Sequence, residues 1–551
     1  MIKTLIGNGS RLFSRRQTSI FSAALILASA FGISALLGII RDRLLYARFY
    51  SCCADQLDAY NAAFRLPDII FRLLVTGALS AAFIPVFSEQ LAKNKTRAYQ
   101  TASAVITALF LIFFGLSVLL VIFSYPLSDL ITSGFSNYQI FLMSQLTKLM
   151  VLSQLFFLMS NFITGILQSF QRFLIPALSP IAYNLGIIFG ILFLSPKLGI
   201  FGPALGVVIG AALHLLVQLP LTTALGFKYS FLLSFNLPGV RKILRLMLPR
   251  TLALGLGEIA ETVALFLATS FPAGSLSLFY LAQRLTQFSS RIFGTTIGQA
   301  SLPILSKEAG MRRFDLFKNT LLSSLLQAVY LALPAAALLL VLRVPIVRIA
   351  YGAERFPWKA TVTTGRVVAF FAPLVVFNTI NDILIRGFYA LQDTKTPLLV
   401  SLFSLMVNTG IALYTTLVLG FGASGLALAI TAAGFSQTFI LTLIIIRRVE
   451  ITNLLNDLFL PLLKMVFAAA LSGAVAWFLL KILDQYFLDT SRIIGLVVLF
   501  GFSTLGGLLS YFCLSLLLKV KEAEKMVKLA GRFFVWPKSA PPLVELPPSP
   551  E

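Results

Sequence analysis

Apolar and polar positions alternate in this chain on a scale of tens of residues. Many apolar runs exceed the roughly 18 residues that a helix needs to cross a bilayer. Short polar or basic connections separate these runs. The pattern predicts an all-α polytopic membrane protein with about fourteen transmembrane helices. The predicted spans are 19–50, 57–90, 99–124, 139–168, 173–196, 199–226, 245–272, 275–305, 317–342, 364–391, 397–419, 422–447, 458–482 and 491–518.

The composition agrees with a membrane protein. Hydrophobic residues make up 58% of the chain and charged residues 12%, whereas soluble proteins carry about 25% charged residues. The formal net charge is +23. A soluble protein with this charge would be a candidate for nucleic-acid binding. In a membrane protein it is typical of basic cytoplasmic loops, and it also favours anionic lipids or an anionic substrate. We expect membrane lipids and no nucleic acid as partners.

The distribution of basic residues predicts the topology. Connections after even-numbered spans are basic, as in "AKNKTR" and "RRVE", and most of the others are poor in Lys and Arg. The loop "RVPIVRIAYGAERFPWKA" is an exception. Both termini are therefore predicted to be cytoplasmic. Residues 1–18 lack a signal-peptide cleavage pattern and are interpreted as a cytoplasmic tail. Residues 519–551 are interpreted as a basic amphipathic segment on the inner membrane surface followed by a disordered Pro-rich end.

The chain contains an internal repeat. "AAFRL" at 62–66 corresponds to "LAQRL" at 281–285, and "LQSFQRFLIP" ending at Pro176 corresponds to "FYALQDTKTP" ending at Pro397. The copies are shifted by six spans, an even number, so they share one orientation in the membrane. Parallel repeats of this kind are typical of alternating-access transporters with a substrate site between the lobes. The predicted parts are an N-lobe at 19–226, a basic linker at 227–244, a C-lobe at 245–448, and two further spans at 458–518 that offer a groove for lipid tails.

Ionisable residues inside the spans are the main functional candidates, because each costs about 2.5–3.5 kcal/mol to insert. Each has an alternative role as a headgroup contact or a local ion pair. Arg65 and Arg284 occupy equivalent positions of the repeat, and we expect them to face each other across the lobe interface. The excess of arginine indicates an anionic ligand such as pyrophosphate, whose oxygens match the guanidinium fork. The candidate substrate-binding residues are Arg41, Arg65, Arg72, Arg284 and Arg366.

The first span carries charge without a turn signal. The apolar run that ends at Ile40 continues directly into "RDRLLYARFY". We predict that the helix extends past Arg41 and Asp42 to about Tyr50 and turns at "SCCADQ". Arg41 is then a substrate arginine with Asp42 as its partner. For Arg43 and Arg48 the sequence allows two roles, a position in the cavity or a contact with lipid headgroups.

Four residues form a possible cation site. Glu258 and Glu261 are three positions apart in one predicted helix, and Asn378 and Asp382 are four apart in another, so each pair shares a helix face. Such oxygen ligands suit Na⁺ or a proton. The alternative is that these acids merely neutralise Arg284 or Arg386. We expect no cofactor other than this coupling ion and the membrane potential.

The cysteines and the histidine indicate no further site. Cys52 and Cys53 are adjacent, so a bridge between them would be strained, and we interpret them as small residues on a helix face. His214 stands alone, and the spacing of these residues does not fit a structural zinc site.

Prolines are predicted to shape two spans. Pro67 together with Gly77 would break span two inside the bilayer, where a broken helix can line a cavity. A simple kink at Pro67 is the alternative. Pro249 is predicted to open span seven.

Three stretches resemble the MurJ (MviN) family of lipid II flippases. They are "LLGIIRDRLLYARFY…DQLDAYNAAFRLPDIIFRLLVTGALSAAFIPVFSEQ", "GSLSLFYLAQRLTQFSSRIFGTTIGQASLPILSKE" and "GFYALQDTKTP". The resemblance covers about residues 20–450. It implies the fold of the multidrug/oligosaccharidyl-lipid/polysaccharide exporter superfamily. It also implies a non-enzymatic flippase of the bacterial inner membrane that moves undecaprenyl-pyrophosphate-linked peptidoglycan precursor to the outer leaflet. We expect a monomer that associates with the cell-wall synthesis machinery.

The resemblance assigns individual residues. Arg41 and Asp42 match an Arg-Asp pair of the family, and Asp58 matches an acid before an aromatic residue. In span eight, Arg284 matches an arginine of the family and Ser277 matches a polar position. Arg366 matches an arginine near the start of span ten. The predicted charge partners and supporting polar residues are Asp42, Asp58, Asp68, Ser277, Gln283 and Gln287.

The chain also departs from the family pattern. At seven positions this chain carries a residue different from the one in well-known members, so the predicted cavity has fewer charges of both signs. These positions are Ala35, Asp68, Phe71, Thr76, Gln283, Gln287 and Asp382.

Two other functions compete with the flippase. One is an exporter of another lipid-linked oligosaccharide or a small amphiphile on the same fold. The other is a membrane glycosyltransferase, which needs a carboxylate in a sizeable outer loop. The predicted outer loops are short, and their candidate acids are Asp129, Glu354, Asp484 and Asp489.

Overall fold

The computed structural model describes residues 20–76, 83–290, 293–294, 296–352, 356–450, 453–490 and 492–534. Within these ranges the chain is helical and has no β-strand. The predicted all-α fold class is therefore confirmed. The described residues divide into two compact units, one from Ile20 to Ser270 and one from Phe271 to Phe534.

The first unit is built from long helices joined by short turns. Its core includes the fully buried Phe83, Phe87 and Phe162, of which Phe83 stacks on Phe87 and meets Phe162 edge-on. The helices, in chain order, are α1 Ile20–Phe49, α2 Ala54–Ala63, α3 Arg65–Phe71, α4 Ile84–Lys93, α5 Lys95–Ile122, α6 Ser124–Leu130, α7 Asn137–Ser169, α8 Leu174–Phe189, α9 Ser195–Leu198, α10 Phe201–Leu216, α11 Leu219–Ala224 and α12 Pro238–Ala268.

The second unit has the same construction. Its core includes Phe317, Leu321 and Phe388, which are buried in one apolar cluster. The helices are α13 Ser275–Ser290, α14 Thr296–Gly310, α15 Phe314–Val341, α16 Arg343–Tyr351, α17 Trp358–Ala390, α18 Lys395–Leu413, α19 Gly422–Arg448, α20 Leu460–Ile482, α21 Ile493–Leu517 and α22 Lys521–Phe534.

Ten helices of the described chain are long and apolar enough to cross a membrane, which supports a multi-pass membrane protein. The predicted spans outside this set are 19–50, 57–90, 245–272 and 275–305. The count of fourteen stays a prediction.

Helix α1 runs without interruption from Ile20 to Phe49 and therefore passes through Arg41 and Asp42, as predicted. The turn follows at residues 50–53. Cys52 and Cys53 lie in this turn and form a disulfide, so the expectation of unpaired cysteines on a helix face is wrong. The reason is that the helix ends at Phe49, which removes both residues from its face.

Span two is interrupted at a single residue, Phe64, whose φ of −69° and ψ of −25° stay helical, so the structure shows the simple kink near Pro67. Helix α2 ends at Ala63 and α3 begins at Arg65, so Pro67 lies in the first turn of the new helix. Proline has no backbone N–H and leaves the carbonyl four residues earlier without its helical donor. That carbonyl, of Ala63, accepts a hydrogen bond from Thr147 Oγ1 of α7 at 3.2 Å. The kink is thus compensated by a neighbouring helix, as a bilayer requires. Gly77 lies outside the described residues.

Helix α12 begins at Pro238, earlier than the predicted start of span seven at 245. Proline suits the first position of a helix because the N–H it lacks has no intrahelical partner there. The helix passes through position 249 without ending. The basic residues Arg241 and Lys242 consequently stand on its first turns.

The local backbone repeats where the sequence repeat predicts it. Gln171 and Gln392 both adopt a left-handed conformation, with φ of 58° and 59°. In each turn two backbone hydrogen bonds cap the preceding helix. In the first turn Gln171 N donates to Gln168 O and Arg172 N donates to Leu167 O. In the second turn Gln392 N donates to Tyr389 O and Asp393 N donates to Phe388 O. Gly199 and Gly420 also share a positive φ. The internal repeat is therefore present in the backbone conformation of the turns as well as in the amino-acid sequence.

Asp393 holds one of these turns in place. Its Oδ1 accepts hydrogen bonds from the backbone N–H groups of Lys395 and Thr396 at 3.1 and 3.0 Å, at the start of α18. Its Oδ2 accepts from Thr396 Oγ1 at 2.6 Å and pairs with Arg448 at the end of α19. Burial raises the pKa of this carboxyl, but the hydrogen bonds from Thr396 and the contact with Arg448 outweigh it and lower the pKa to about 2.

We predict that Asp393→Asn destabilises the chain by about 1 kcal/mol at pH 7, because the first turn of α18 loses a charged acceptor. The folded pKa lies below the unfolded value, so this stabilisation is complete above pH about 4 and disappears as the pH falls through about 2. Thermal unfolding in detergent at several pH values measures the difference. Asp129→Asn, at an exposed position of α6, is the control. A difference between Asp393→Asn and wild type that does not shrink in acid contradicts the prediction.

Candidate functional site

A group of four charged residues lies inside the first unit, where α3 and the π-helical segment Arg72–Thr76 that continues it approach α12. Arg65 Nη1 lies 2.9 Å from Glu261 Oε2, and Arg65 Nε donates to Thr262 Oγ1 at 3.0 Å. Arg65 Nη2 is 3.0 Å from Glu258 Oε2 and also donates to the backbone carbonyl of Glu258. The guanidinium is thus held on three sides by one turn of α12. We call Arg65, Arg72, Glu258 and Glu261 the arginine–glutamate cluster.

Arg72 completes the cluster on its exposed side. Its Nη1 lies 3.3 Å from Glu258 Oε1 and 3.4 Å from Glu261 Oε2. The side chains of Arg65 and Glu258 are 5% and 9% exposed, whereas those of Arg72 and Glu261 are 44% and 41% exposed. One ion pair is therefore buried and the other is open to its surroundings. The spacing of three residues between Glu258 and Glu261 places both carboxylates on the face that meets the arginines.

The charges of this cluster balance, with two guanidinium groups and two carboxylates. A buried arginine among membrane helices requires such a partner, because its desolvation is otherwise very costly. The two acids that the sequence offered for a cation site thus act as counter-ions of Arg65 and Arg72 in this structure. The sequence analysis gave charge neutralisation as the alternative role of these two acids, and the structure shows that role. The arginines that they neutralise are different from those expected.

Asp68 lies one helical turn from Arg65 and is bound from the other side. Its Oδ1 accepts a hydrogen bond from Gln154 Nε2 of α7 at 2.7 Å. Phe71 of α3 packs edge-on against Phe157 of α7. The departure at Phe71 is therefore an aromatic contact between α3 and α7. The side chain of Thr76 lies outside the described residues.

A second polar group surrounds Arg41 on α1. Its Nε and Nη2 both donate to Asp42 Oδ1, at 2.9 and 2.8 Å, which gives the intrahelical partner that the sequence predicted. Its Nη1 donates to Asn184 Oδ1 of α8 at 3.0 Å. Asp42 is buried. Ala35 lies on the same helix and is partly buried.

Asp58 lies on α2 and is almost fully buried. Its helix neighbour Asn61 donates to Tyr46 Oη of α1 at 3.2 Å and so ties α2 to α1. Asp58 therefore belongs to the interior of the first unit.

In the second unit the predicted residues lie on α13 and α17, which pack together. Ser277 is fully buried on α13, whereas Gln283, Arg284 and Gln287 of the same helix are partly exposed. Arg366 is exposed near the start of α17. Whether Arg284 faces Arg65 stays a prediction.

The second candidate pair for a cation, Asn378 and Asp382, lies on α17 and both side chains are partly exposed. Arg386 follows one turn later and donates from Nη1 to the backbone carbonyls of Asp382 and Gly294, at 3.0 and 3.4 Å. A Cβ on Gly294 would lie 2.8 Å from Asp382 Oδ2, so glycine is needed for this close approach. Among the described residues no three His, Cys, Asp or Glu side chains group as a metal site.

Three polar residues in these groups escaped the sequence analysis, namely Gln154, Asn184 and Thr262. Each is uncharged and stands in an apolar run, so the search for ionisable residues passed over it. Polar side chains at intramembrane positions are costly without partners, and that cost is the signal that identifies them.

Comparison with known proteins gives a consistent result. The family model described as "Lipid II flippase MurJ" matches residues 54–498. A "Probable lipid II flippase MurJ" of Bdellovibrio bacteriovorus is 28% identical over 521 residues, covering 93% of this chain and 97% of that protein. A "Lipid II flippase MurJ" of Burkholderia cenocepacia is 27% identical over 441 residues, covering 77% of this chain and 83% of that protein.

Solved structures agree with this assignment. A structure of "Lipid II flippase MurJ, inward closed conformation" matches with a TM-score of 0.72 and 25% identity, covering 89% of this chain and 98% of that one. An inward-facing multidrug resistance MATE family transporter of the MOP superfamily matches with a TM-score of 0.62 at 15% identity, covering 78% and 99%, which shows the shared fold alone. Because the family model spans well over half of the chain, this protein belongs to the lipid II flippase MurJ family.

Proposed function

We propose that this protein moves lipid II, the undecaprenyl-pyrophosphate-linked peptidoglycan precursor, from the inner to the outer leaflet of a bacterial inner membrane. Family membership supports this function. The single structural observation that carries it is the set of arginines held in place by carboxylates and amides within membrane helices. Arginine is suited to the pyrophosphate of such a lipid, because its fork of donors matches phosphate oxygens. Both termini are cytoplasmic in this proposal.

The proposed transport uses alternating access and involves no chemical conversion of the lipid. Arg41, Arg65 and Arg284 bind the pyrophosphate, with Arg72 and Arg366 as further contacts. The undecaprenyl tail stays in the bilayer, and the two spans at 458–518 provide its groove. The protein acts as a monomer and associates with the cell-wall synthesis machinery.

The arginine–glutamate cluster gives this mechanism a counter-ion exchange. In the structure, Glu258 and Glu261 occupy the donors of Arg65 that a pyrophosphate would use. A substrate with two phosphates carries at least two negative charges, as do the two glutamates. It can therefore replace them without leaving the arginines unpaired. Arg72 and Glu261, the exposed members, meet the substrate first.

A cation resets the transporter in this proposal. Na⁺ or a proton binds at Asp382 and Asn378, or at Glu258 and Glu261 once these acids leave the arginines, and the membrane potential drives it inward. Oxygen donors of this kind suit either ion.

Another lipid-linked oligosaccharide is the second candidate cargo. The observation in its favour is the aromatic contact of Phe71 with Phe157, at a position where the resemblance implies a charged residue in other members. Such a change alters the headgroup side of the site and keeps the pyrophosphate arginines.

The main proposal predicts that depletion of this protein in its host lowers the exposure of lipid II in the outer leaflet. The measurement is the cleavage or labelling of lipid II by an externally added reagent that cannot cross the membrane. Re-expression of the wild-type chain restores exposure, and Arg41→Ala does not. Unchanged exposure of lipid II after depletion overturns the proposal. If the exposure of a different lipid-linked sugar is the one that re-expression restores, that lipid is the second cargo.

The counter-ion exchange predicts that Glu261→Gln binds lipid II about fivefold more tightly than wild type, because one competing carboxylate has lost its charge. Binding is measured on the purified chain in nanodiscs. Glu89→Gln is the matched control, since Glu89 forms its ion pairs with Lys93 and Lys242 at the surface. Equal affinities for Glu261→Gln and wild type contradict the exchange.

The coupling proposal predicts that Asp382→Asn or Glu258→Gln removes the sodium dependence of transport. Flipping is measured in vesicles with and without a sodium gradient at fixed pH, and a proton gradient is tested in parallel. Asp315→Asn, at an exposed position of α15, serves as the control. Unchanged dependence on both ions in both variants removes these residues from the ion site.

A further inference from the structure

Asn184 connects two helices of the first unit through every polar atom of its side chain. It lies on α8 and is buried. Its amide nitrogen donates to the backbone carbonyl of Ser34 on α1 at 3.1 Å, to Ser34 Oγ at 3.2 Å and to the carbonyl of Pro180 at 3.1 Å. Its oxygen accepts from Arg41 Nη1 at 3.0 Å.

This environment determines which way the amide points. The oxygen and nitrogen of an asparagine side chain are distinguished only by their hydrogen-bond partners. The carbonyls of Ser34 and Pro180 are acceptors and require the nitrogen on their side. A guanidinium only donates, so it requires the oxygen on its own side. The opposite orientation would set carbonyl against carbonyl and donor against donor.

Ser34 and Arg41 are seven residues apart on α1, which is two helical turns, so both reach the same face of α8. Asp42 and Asn184 then hold Arg41 from two directions: Asp42 takes Nε and Nη2 from within α1, and Asn184 takes Nη1 from outside it. A guanidinium bound only by its chain neighbour can rotate with its own side chain. A contact from a second helix limits that rotation.

We propose that Asn184 is a positioning residue for Arg41, which it aims and holds for the pyrophosphate of the substrate. The inference rests on the proposed function of Arg41 and adds a neutral residue of α8 to the substrate site. A neutral amide is suited to this role because it orders the guanidinium without adding a second negative charge to that of Asp42. A second carboxylate in its place would compete with the substrate.

The experiment compares Asn184→Ala with wild type in the full chain, reconstituted in nanodiscs for lipid II binding and in vesicles for flipping. We expect the apparent affinity for lipid II to fall about tenfold, in line with one hydrogen bond to a charged group. The maximal flipping rate at saturating lipid II should change by less than about twofold, because Arg41 itself is still present. A purely structural role would lower the thermal midpoint and the maximal rate together.

A double-mutant cycle tests whether the effect passes through Arg41. In an Arg41→Ala background, Asn184→Ala should cause no further loss of affinity, because the group that it positions is absent. Additive losses overturn the proposal. Asn408→Ala is the matched control, since Asn408 is equally buried on α18, the helix that corresponds to α8 in the repeat.

A milder variant covers the case in which Asn184→Ala fails to fold. Ser34→Ala removes one of the acceptors of the amide and keeps the backbone carbonyl, so a smaller loss of affinity in the same direction is expected. Where Asn184→Ala does not fold, wild-type affinity in Ser34→Ala alone overturns the positioning role and leaves the flippase proposal standing. Failure of the wild-type chain to bind lipid II refutes the flippase proposal itself.

Discussion

A charged guanidinium cannot remain buried among apolar membrane helices without a carboxylate beside it, and much of the first unit follows from this constraint. Arg65 is enclosed by Glu258, Glu261 and Thr262 of α12. Loss of one partner of such a buried pair costs about 3–5 kcal/mol. The approach of α12 to the kinked second span is therefore tied to charge as well as to apolar packing. The π-helical segment after α3 is also bound to α12 by the hydrogen bond from Thr251 Oγ1 to the carbonyl of Leu73 at 2.9 Å.

The kink in span two lies beside the arginine–glutamate cluster. Pro67 interrupts the helix, and Thr147 satisfies the carbonyl that the proline leaves open. The new helix begins at Arg65, so its first residue carries the guanidinium that α12 binds. The chain thus combines a costly charge and a costly kink at one place, and each is compensated by a different neighbouring helix.

Neutral polar residues complete the charged groups without changing their net charge. Gln154 binds Asp68, Thr262 binds Arg65, and Asn184 binds Arg41. A transporter for an anionic headgroup needs arginines that are ordered and yet still positively charged. Amide and hydroxyl partners meet that need, whereas further carboxylates would cancel the charge. The family members named above share the fold, and this chain's own partners define how its arginines are held.

The sequence by itself determined what depends on neighbouring residues along the chain. Apolar runs predicted the helices, "SCCADQ" marked the end of α1, and the repeat predicted turns that are equivalent at Gln171 and Gln392. These features follow from local backbone chemistry and from the need to keep apolar side chains in lipid. The tertiary structure alone decided the partners. Arg65 meets Glu258 across 193 residues and Arg41 meets Asn184 across 143. A sequence shows that a buried charge needs a partner, but only the packing of the helices decides which side chain lies within reach.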